Sequence, residues 1–443
     1  MTKAAGGDRP PLFWMDVTTS WRNRGGQANG TLRVEGSYAA ALGEIMGPAW
    51  RFCRYNRVRG QFAPAGRPVR EERAGRRGTG PGAPRSRSAL ADLGRRSERA
   101  LRQAWRRGLA GAWQRLDAYN RAPPFPAAIR GDVLLLAGET WTQHDFALLS
   151  RLRREQGLRL AAICQDMIPV KLPQFFEPGE FMARYRAYAD FLVGEVDLLI
   201  AISESTRADL AEHARGRGGV QGRLETVQLG ADFDLARTPQ RPDALGEPGP
   251  AGFVLSVSTI QSRKNFDLLY HLWRRLTERK LADLPQLVIV GQPGFGSTDL
   301  LHQIATDPLA ASVITLLHGV SDSELAWLYR NCRWTLYPSF YEGWGLPISE
   351  SLAHGKYCLA SDTSSLPEAG GGLVRHLDPL DFPAWAAAVI ELSREPAKLA
   401  ALEARIRAEY HPVTWRQSGE RLAGLLRELL AAQPAGTEAE PRR

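Results

Sequence analysis

Short apolar runs alternate with longer amphipathic segments along this chain, and the whole alternation is set out twice. A run of four to six apolar residues hides both of its faces only inside a covered parallel sheet. The amphipathic segment between successive runs supplies the covering helix. In the first half the runs are Leu12–Val17, Trp50–Tyr55, Val133–Ala137, Leu158–Ile163, Leu198–Ile202 and Leu224–Gln228. Helical patterns fall between them at Thr31–Met46, Phe146–Glu155 and Phe181–Val193. Residues 229–252, ending in GEPGPAG, carry no period and read as a turn-rich linker. The runs then resume at Phe253–Val257, Leu287–Val290, Val313–Leu317, Trp334–Tyr337 and Tyr357–Ala360, and a last amphipathic segment covers Val413–Ala431. The pattern predicts an α/β fold of two Rossmann-like domains, which 443 residues suit. The expected limits are a first domain at 1–235, a linker at 236–252, a second domain at 253–412, and a terminal helix with a polar tail at 413–443.

Charge is the unusual bulk property. The net charge is +9, and seventeen arginines face only four acidic residues between Arg51 and Arg107. With its Gly and Pro clusters, this stretch reads as a partly disordered basic insertion at about 57–107 in the first domain. It has few interleaved aromatics for base stacking, so nucleic acid is not expected as a partner. Cys53, Cys164, Cys332 and Cys358 form no CxxC pair, which argues against metal or disulfide frameworks and fits a reducing cytoplasm. No apolar run reaches the ~18 residues of a spanning helix, and the N-terminus lacks a secretory layout. Neither unit has a GxGxxG after its first strand, and no GxxxxGK[ST] loop is present. A dinucleotide cofactor and P-loop chemistry are therefore disfavoured.

The densest chemical signal is Tyr337-Pro-Ser-Phe-Tyr-Glu342-Gly-Trp-Gly345-Leu-Pro347-Ile-Ser-Glu350. A buried run ends, a glycine loop follows, and Pro347 suits the first turn of a helix. Gly343 and Gly345 let backbone approach a ligand, with Trp344 and Leu346 beside them, and the helix start forms an anion site suited to a diphosphate. Glu342 and Glu350 can then accept the paired hydroxyls of ribose or hexose. Earlier, Arg263 and Lys264 fall just past the first strand of the second unit, where ligands sit in open α/β sheets. Asn265 is placed to cap the next helix.

Ser258-x4-Arg263-Lys264-Asn265, the Gly319-Val320 turn before Ser321-x2-Glu324-Leu325, and Glu342-x7-Glu350 together resemble the large GT-B family four of retaining glycosyltransferases. That family includes bacterial lipopolysaccharide, mannosyl and sucrose-synthase-type transferases. The resemblance is strong over Phe253–Leu392. It implies that Arg263 and Lys264 hold a donor diphosphate, Glu350 the ribose and Glu342 the donor sugar, with backbone near Val320 meeting the base. Ser321 and Glu324 also read locally as a helix capping box.

The first half resembles the family more loosely. Ala161-Ala-Ile-Cys-Gln-Asp166-Met-Ile-Pro169, followed by Leu198-Leu-Ile-Ala-Ile-Ser203-Glu-Ser-Thr206, is similar to a motif of capsule and O-antigen transferases. Asp166 then becomes the candidate catalytic carboxylate beside Glu342; Gln165 stands where relatives often carry His. Gly30, Arg33 and Trp141 are candidates for phosphate or acceptor contact, each with a plain packing role as the alternative. His318 and His354 are read as structural. The resemblance implies metal-independent, front-face transfer from a nucleotide-sugar, which is a substrate and not a cofactor, with GDP-mannose favoured. The acceptor would be a glycan or lipid-linked hydroxyl in surface polysaccharide synthesis. The location expected is cytoplasmic, with the basic stretch and Phe62, Trp105 and Trp113 attaching the protein to the inner face of an anionic membrane. A catalytically inactive sugar-nucleotide-binding partner and an Arg-rich nucleic-acid-binding protein are the alternatives.

Overall fold

A computed structural model describes residues 10–23, 30–57, 59–68, 131–232 and 238–432. The first sheet comprises β1 (Phe13–Asp16), β2 (Trp50–Asn56), β3 (Gln61–Ala65), β4 (Val133–Leu136), β5 (Arg159–Cys164), β6 (Leu198–Ala201) and β7 (Arg223–Thr226). Its order is β3-β2-β1-β4-β5-β6-β7, parallel except for the antiparallel β2–β3 pair. The second comprises β8 (Phe253–Val257), β9 (Gln286–Val290), β10 (Ile314–Leu317), β11 (Thr335–Tyr337), β12 (Cys358–Ser361) and β13 (Arg375–Leu377). It is wholly parallel, in the order β10-β9-β8-β11-β12-β13. In both sheets the strand order reverses beside the first strand, between β1 and β4 and between β8 and β11. Connections leave such a point in opposite senses and open a crevice at the carboxyl ends of the strands.

The helices that bear on that crevice are α1 (Gly30–Ile45), α2 (Glu180–Glu195), α3 (Glu204–Arg215), α4 (Asp322–Asn331), α5 (Leu346–Ala353), α6 (Leu366–Gly370) and α7 (Trp415–Ala431). Their starts are fixed locally. Ser321 and Glu324 form the expected capping box of α4, and Thr414 with Gln417 forms another on α7. Gly345 precedes α5 at φ 116°, a conformation that a Cβ opposes, and Pro347 sits in the first turn.

Every apolar run of the sequence alternation forms a strand. Two strands come in addition. In β3, Pro64 interrupts the alternation, and the strand is tolerated because it lies on the sheet edge. The other, β13, is a three-residue edge strand too short to leave a pattern. The β2–β3 pair places residues 61–65 of the basic stretch in the sheet, and Phe62 is 2% exposed. Phe62 is therefore not a membrane anchor. Residues 69–107, Trp105 and Trp113 lie outside the described residues. No helix among the described residues is long and apolar enough to cross a membrane. All four cysteines are free and buried.

The terminal helix α7 returns to the first domain. Gly419 allows it to approach α1, since a Cβ there would lie 2.9 Å from that of Ala41. The hydroxyls of Tyr38 and Ser418 are 2.8 Å apart, and the Tyr38 ring meets Trp415 edge-on. Beside this contact the chain crosses between domains twice, at residues 230–232 and 413–415. Ala231 N–H donates to the Val413 carbonyl at 2.8 Å, and Trp415 N–H to the Asp232 carboxylate.

Candidate functional site

The carboxyl ends of the two sheets face each other across a cleft of about 720 Å³. Every residue singled out for the site lines it. From the second domain come Arg263, Lys264, Val320, Glu342, Gly343, Trp344, Gly345, Leu346 and Glu350; from the first come Gly30, Arg33, Trp141 and Asp166.

Glu342 is the centre of the second domain's side of the cleft. Its Oε1 accepts from Ser339 at 2.6 Å and Tyr337 at 2.9 Å, and pairs with Arg263 at 3.0 Å and with the Lys264 ammonium. Its Oε2 makes no hydrogen bond among the described residues. Burial opposes the carboxylate, but the Arg263 and Lys264 charges outweigh it and bring the pKa down to about 2. Glu342 is thus an ionised acceptor. Arg263 spends one nitrogen on Glu342 and on the Tyr341 carbonyl, while its Nε is buried with no partner among the described residues. A buried, unpaired guanidinium N–H at a glycine loop beside a helix start is what an anion would satisfy.

Glu350, 2% exposed, is engaged at both oxygens. Arg33 of α1 reaches across the cleft to Oε1, and the Tyr329 hydroxyl donates to Oε2 at 2.6 Å. Asp166 lies in the short loop after β5. Its Oδ1 accepts from Ile168 N–H at 3.0 Å, so it forms the local turn and also lines the cleft. Burial raises its pKa, while Arg263 and the Ile168 amide pull it back. Gly343 sits directly against this loop, where a Cβ would lie 1.9 Å from the Gln165 carbonyl oxygen.

The family described as Glycosyl transferases group 1 matches residues 238–409. A D-inositol 3-phosphate glycosyltransferase from Nocardiopsis dassonvillei is 30% identical over 315 residues, covering 67% of this chain and 71% of that one. The chain belongs to the group 1 glycosyltransferases. O-antigen chain mannosyltransferase B of Escherichia coli is 31% identical over 164 residues, 37% of this chain and 42% of that relative, so the match spans less than half of its length. Sucrose-phosphate synthase from Thermosynechococcus elongatus shares the fold with a TM-score of 0.58 at 17% identity, over 96% of this chain and 100% of the other. The HepE protein of Anabaena in complex with UDP gives 0.57 at 14% identity, over 95% and 100%. The two-domain GT-B arrangement is the fold of this glycosyltransferase.

Several residues of this transferase's cleft had no sequence signal. Tyr337 and Ser339 lie inside the quoted motif but hold Glu342 through side chains whose direction the motif does not give. Tyr329 and the pairing of Arg33 with Glu350 are products of tertiary packing. Asn265 corrects its expectation: it adopts a left-handed backbone at φ 55°, makes no side-chain cap, and donates its amide to the Pro379 carbonyl at 2.9 Å. His354 stacks on Tyr329 and bonds the Glu350 carbonyl at 2.8 Å, and His318 contacts the Gly291 carbonyl. A buried polar cluster at the end of β1 was also unforeseen. His144 Nε2 lies 2.9 Å from Asp16, and Glu35 accepts the Ser20 N–H at 2.7 Å. Glu35 Oε2 has no partner among the described residues. Burial, then the Asp16 charge, raise the Glu35 pKa to about 8.

Proposed function

We propose that this glycosyltransferase moves a sugar, with retention of configuration, from a nucleoside diphosphate donor to a hydroxyl of a glycan acceptor. The observation that carries the reading is the buried Arg263 Nε–H, held beside Lys264 at the carboxyl end of β8 with no partner among the described residues. A donor diphosphate there would accept from it, and leaving-group charge would be stabilised by Arg263, Lys264 and the start of α5. Ribose hydroxyls would reach Glu350 by displacing Arg33, and Glu342 Oε2 would accept from the donor sugar. Asp166 would orient the acceptor hydroxyl. In the front-face reaction the acceptor oxygen bonds to the anomeric carbon as the phosphate oxygen leaves, and the hydroxyl proton passes to that phosphate. Neutralisation of Glu342 by two cations disfavours it as a covalent nucleophile, which supports this route over double displacement.

The mannosyltransferase names of relatives favour GDP-mannose. Thermal shift against UDP, GDP, dTDP and ADP sugars, followed by product NMR with the ligand that stabilises, tests the reading. GDP-mannose should raise the melting temperature most, and the product should keep the donor's anomeric configuration. No turnover with any donor, or an inverted product, overturns it. Turnover without added metal is expected, because cationic side chains meet the diphosphate charge. Loss in EDTA with recovery in Mg²⁺ would count against that. Attachment of a cytoplasmic protein to an anionic membrane rests on the arginines of 51–107, and co-sedimentation with anionic vesicles at low and physiological salt decides it.

A further inference from the structure

We propose that Phe176 and Phe181 form a subsite for a neutral pyranose ring of the acceptor, distant from the hydroxyl that reacts. This rests on the reading of the chain as a glycan-extending transferase. Phe181, in the first turn of α2, is 37% exposed. The other large apolar side chains exposed among the described residues, Phe295, Leu309 and Leu380, lie outside the cleft lining, whereas Phe181 is part of it. An apolar ring left open at the mouth of a binding cleft gains free energy only when something covers it.

The local chain builds this surface. Gly179, at φ 114°, turns the segment between the two phenylalanines. Phe176 then stacks on Phe181, with centroids 5.7 Å apart and planes at 19°. The series continues inward from Phe181 to Tyr185 at 5.9 Å and from Tyr185 to Trp141 at 5.1 Å. Tyr185 donates its hydroxyl to the Asp166 carbonyl at 2.8 Å, so the rings run from the mouth of the cleft to the candidate reacting centre. The surface is also braced before any ligand arrives. Arg184 donates to the Trp141 carbonyl at 2.8 Å, and Phe175 stacks on Phe340 of the donor loop at 5.6 Å.

A pyranose has a face of C–H groups that covers an aromatic ring and a rim of hydroxyls that need acceptors. Glu177 and Glu180, both exposed, stand between the two phenylalanines in sequence, outside the cleft lining, and would offer carboxylate acceptors at its rim. The same two charges repel a lipid-linked phosphate, so the observations favour a neutral sugar ring over a lipid headgroup.

A glycan array of neutral oligosaccharides, probed with the full chain in the presence of GDP, tests this. The wild type should retain neutral oligosaccharides of two or more residues. Phe181→Ala should weaken that retention at least tenfold, and Phe181→Trp should restore it. The GDP affinity and melting temperature of both variants should stay at wild-type values, as expected for a partly exposed side chain. Equal retention by Phe181→Ala, or no neutral oligosaccharide retained by the wild type, overturns the subsite. If GDP-mannose turnover is present in either of those cases, the subsite alone falls. Absence of all donor turnover would instead overturn the transferase reading.

Discussion

Glu350 illustrates how one side chain can be finished and yet available. Both oxygens are occupied, one by Arg33 from the opposite domain, so on the proposed reading a ribose would replace an ion pair rather than fill an empty acceptor. Glu350→Ala is expected to raise the donor KM by roughly ten- to hundredfold, the worth of one or two charge-assisted hydrogen bonds. Steady-state kinetics on the folded variant checks it, and an unchanged KM removes Glu350 from the site. Glu35 gives a second prediction, in stability. Its pKa rises from 4.5 to about 8 on folding, so the folded state holds a proton that the unfolded state releases. Its contribution is full below pH 4.5 and is lost as pH climbs through 8, at most a few kcal/mol. Glu35→Gln should flatten the fall of melting temperature across that window, and an identical pH profile would place the effect elsewhere. The carboxylates at 166, 342 and 350 were legible because each follows an apolar run in a recognisable motif. The partner of Glu350 was not, because Arg33 lies 317 residues away and only the docking of two domains brings it near.

Among the elements, the loop between β11 and α5 has two glycines with different duties. Gly345 serves the backbone, at φ 116°. Gly343 serves the domain contact, because a Cβ would sit 1.9 Å from the Gln165 carbonyl. Gly343 is not in a positive-φ conformation, so alanine strains the contact and not the loop. Gly343→Ala should lower kcat about a hundredfold, as expected when reacting groups are held an ångström out of place. It should leave nucleotide affinity and melting temperature near wild type. A fall in nucleotide affinity as large as that in kcat would show that the loop itself had been damaged. The glycine loop was visible in sequence as a ligand motif. Its second duty was not, since the obstructing oxygen belongs to another domain. The edge strands β3 and β13 escaped for simpler reasons, one broken by Pro64 and the other three residues long.

Across the whole molecule, polar contacts join the two sides of the cleft beside the apolar packing. Tyr341 donates to Asp209 at 2.8 Å, and the Glu368 carboxylate accepts the Glu204 and Ser205 N–H groups at the start of α3, at 2.8 and 2.9 Å. Water competes for such contacts, so opening costs little compared with unfolding. Glu368→Ala combined with Tyr341→Phe should enlarge the radius of gyration measured by X-ray scattering without ligand, and donor should restore the compact value. A radius unchanged by the double substitution would assign closure to other contacts. The paired crossings at 230–232 and 413–415 bear on how that opening proceeds. A single flexible connection would let one domain swivel and twist freely against the other. Two connections side by side, hydrogen-bonded to each other and backed by α7 on α1, act as adjacent hinge pins. They leave one easy coordinate, rotation about the line through them, and stiffen the rest. A closing stroke about that line would return Gly343 to Gln165 and Arg33 to Glu350 along the same arc, and alignment of donor with acceptor would become a one-dimensional search.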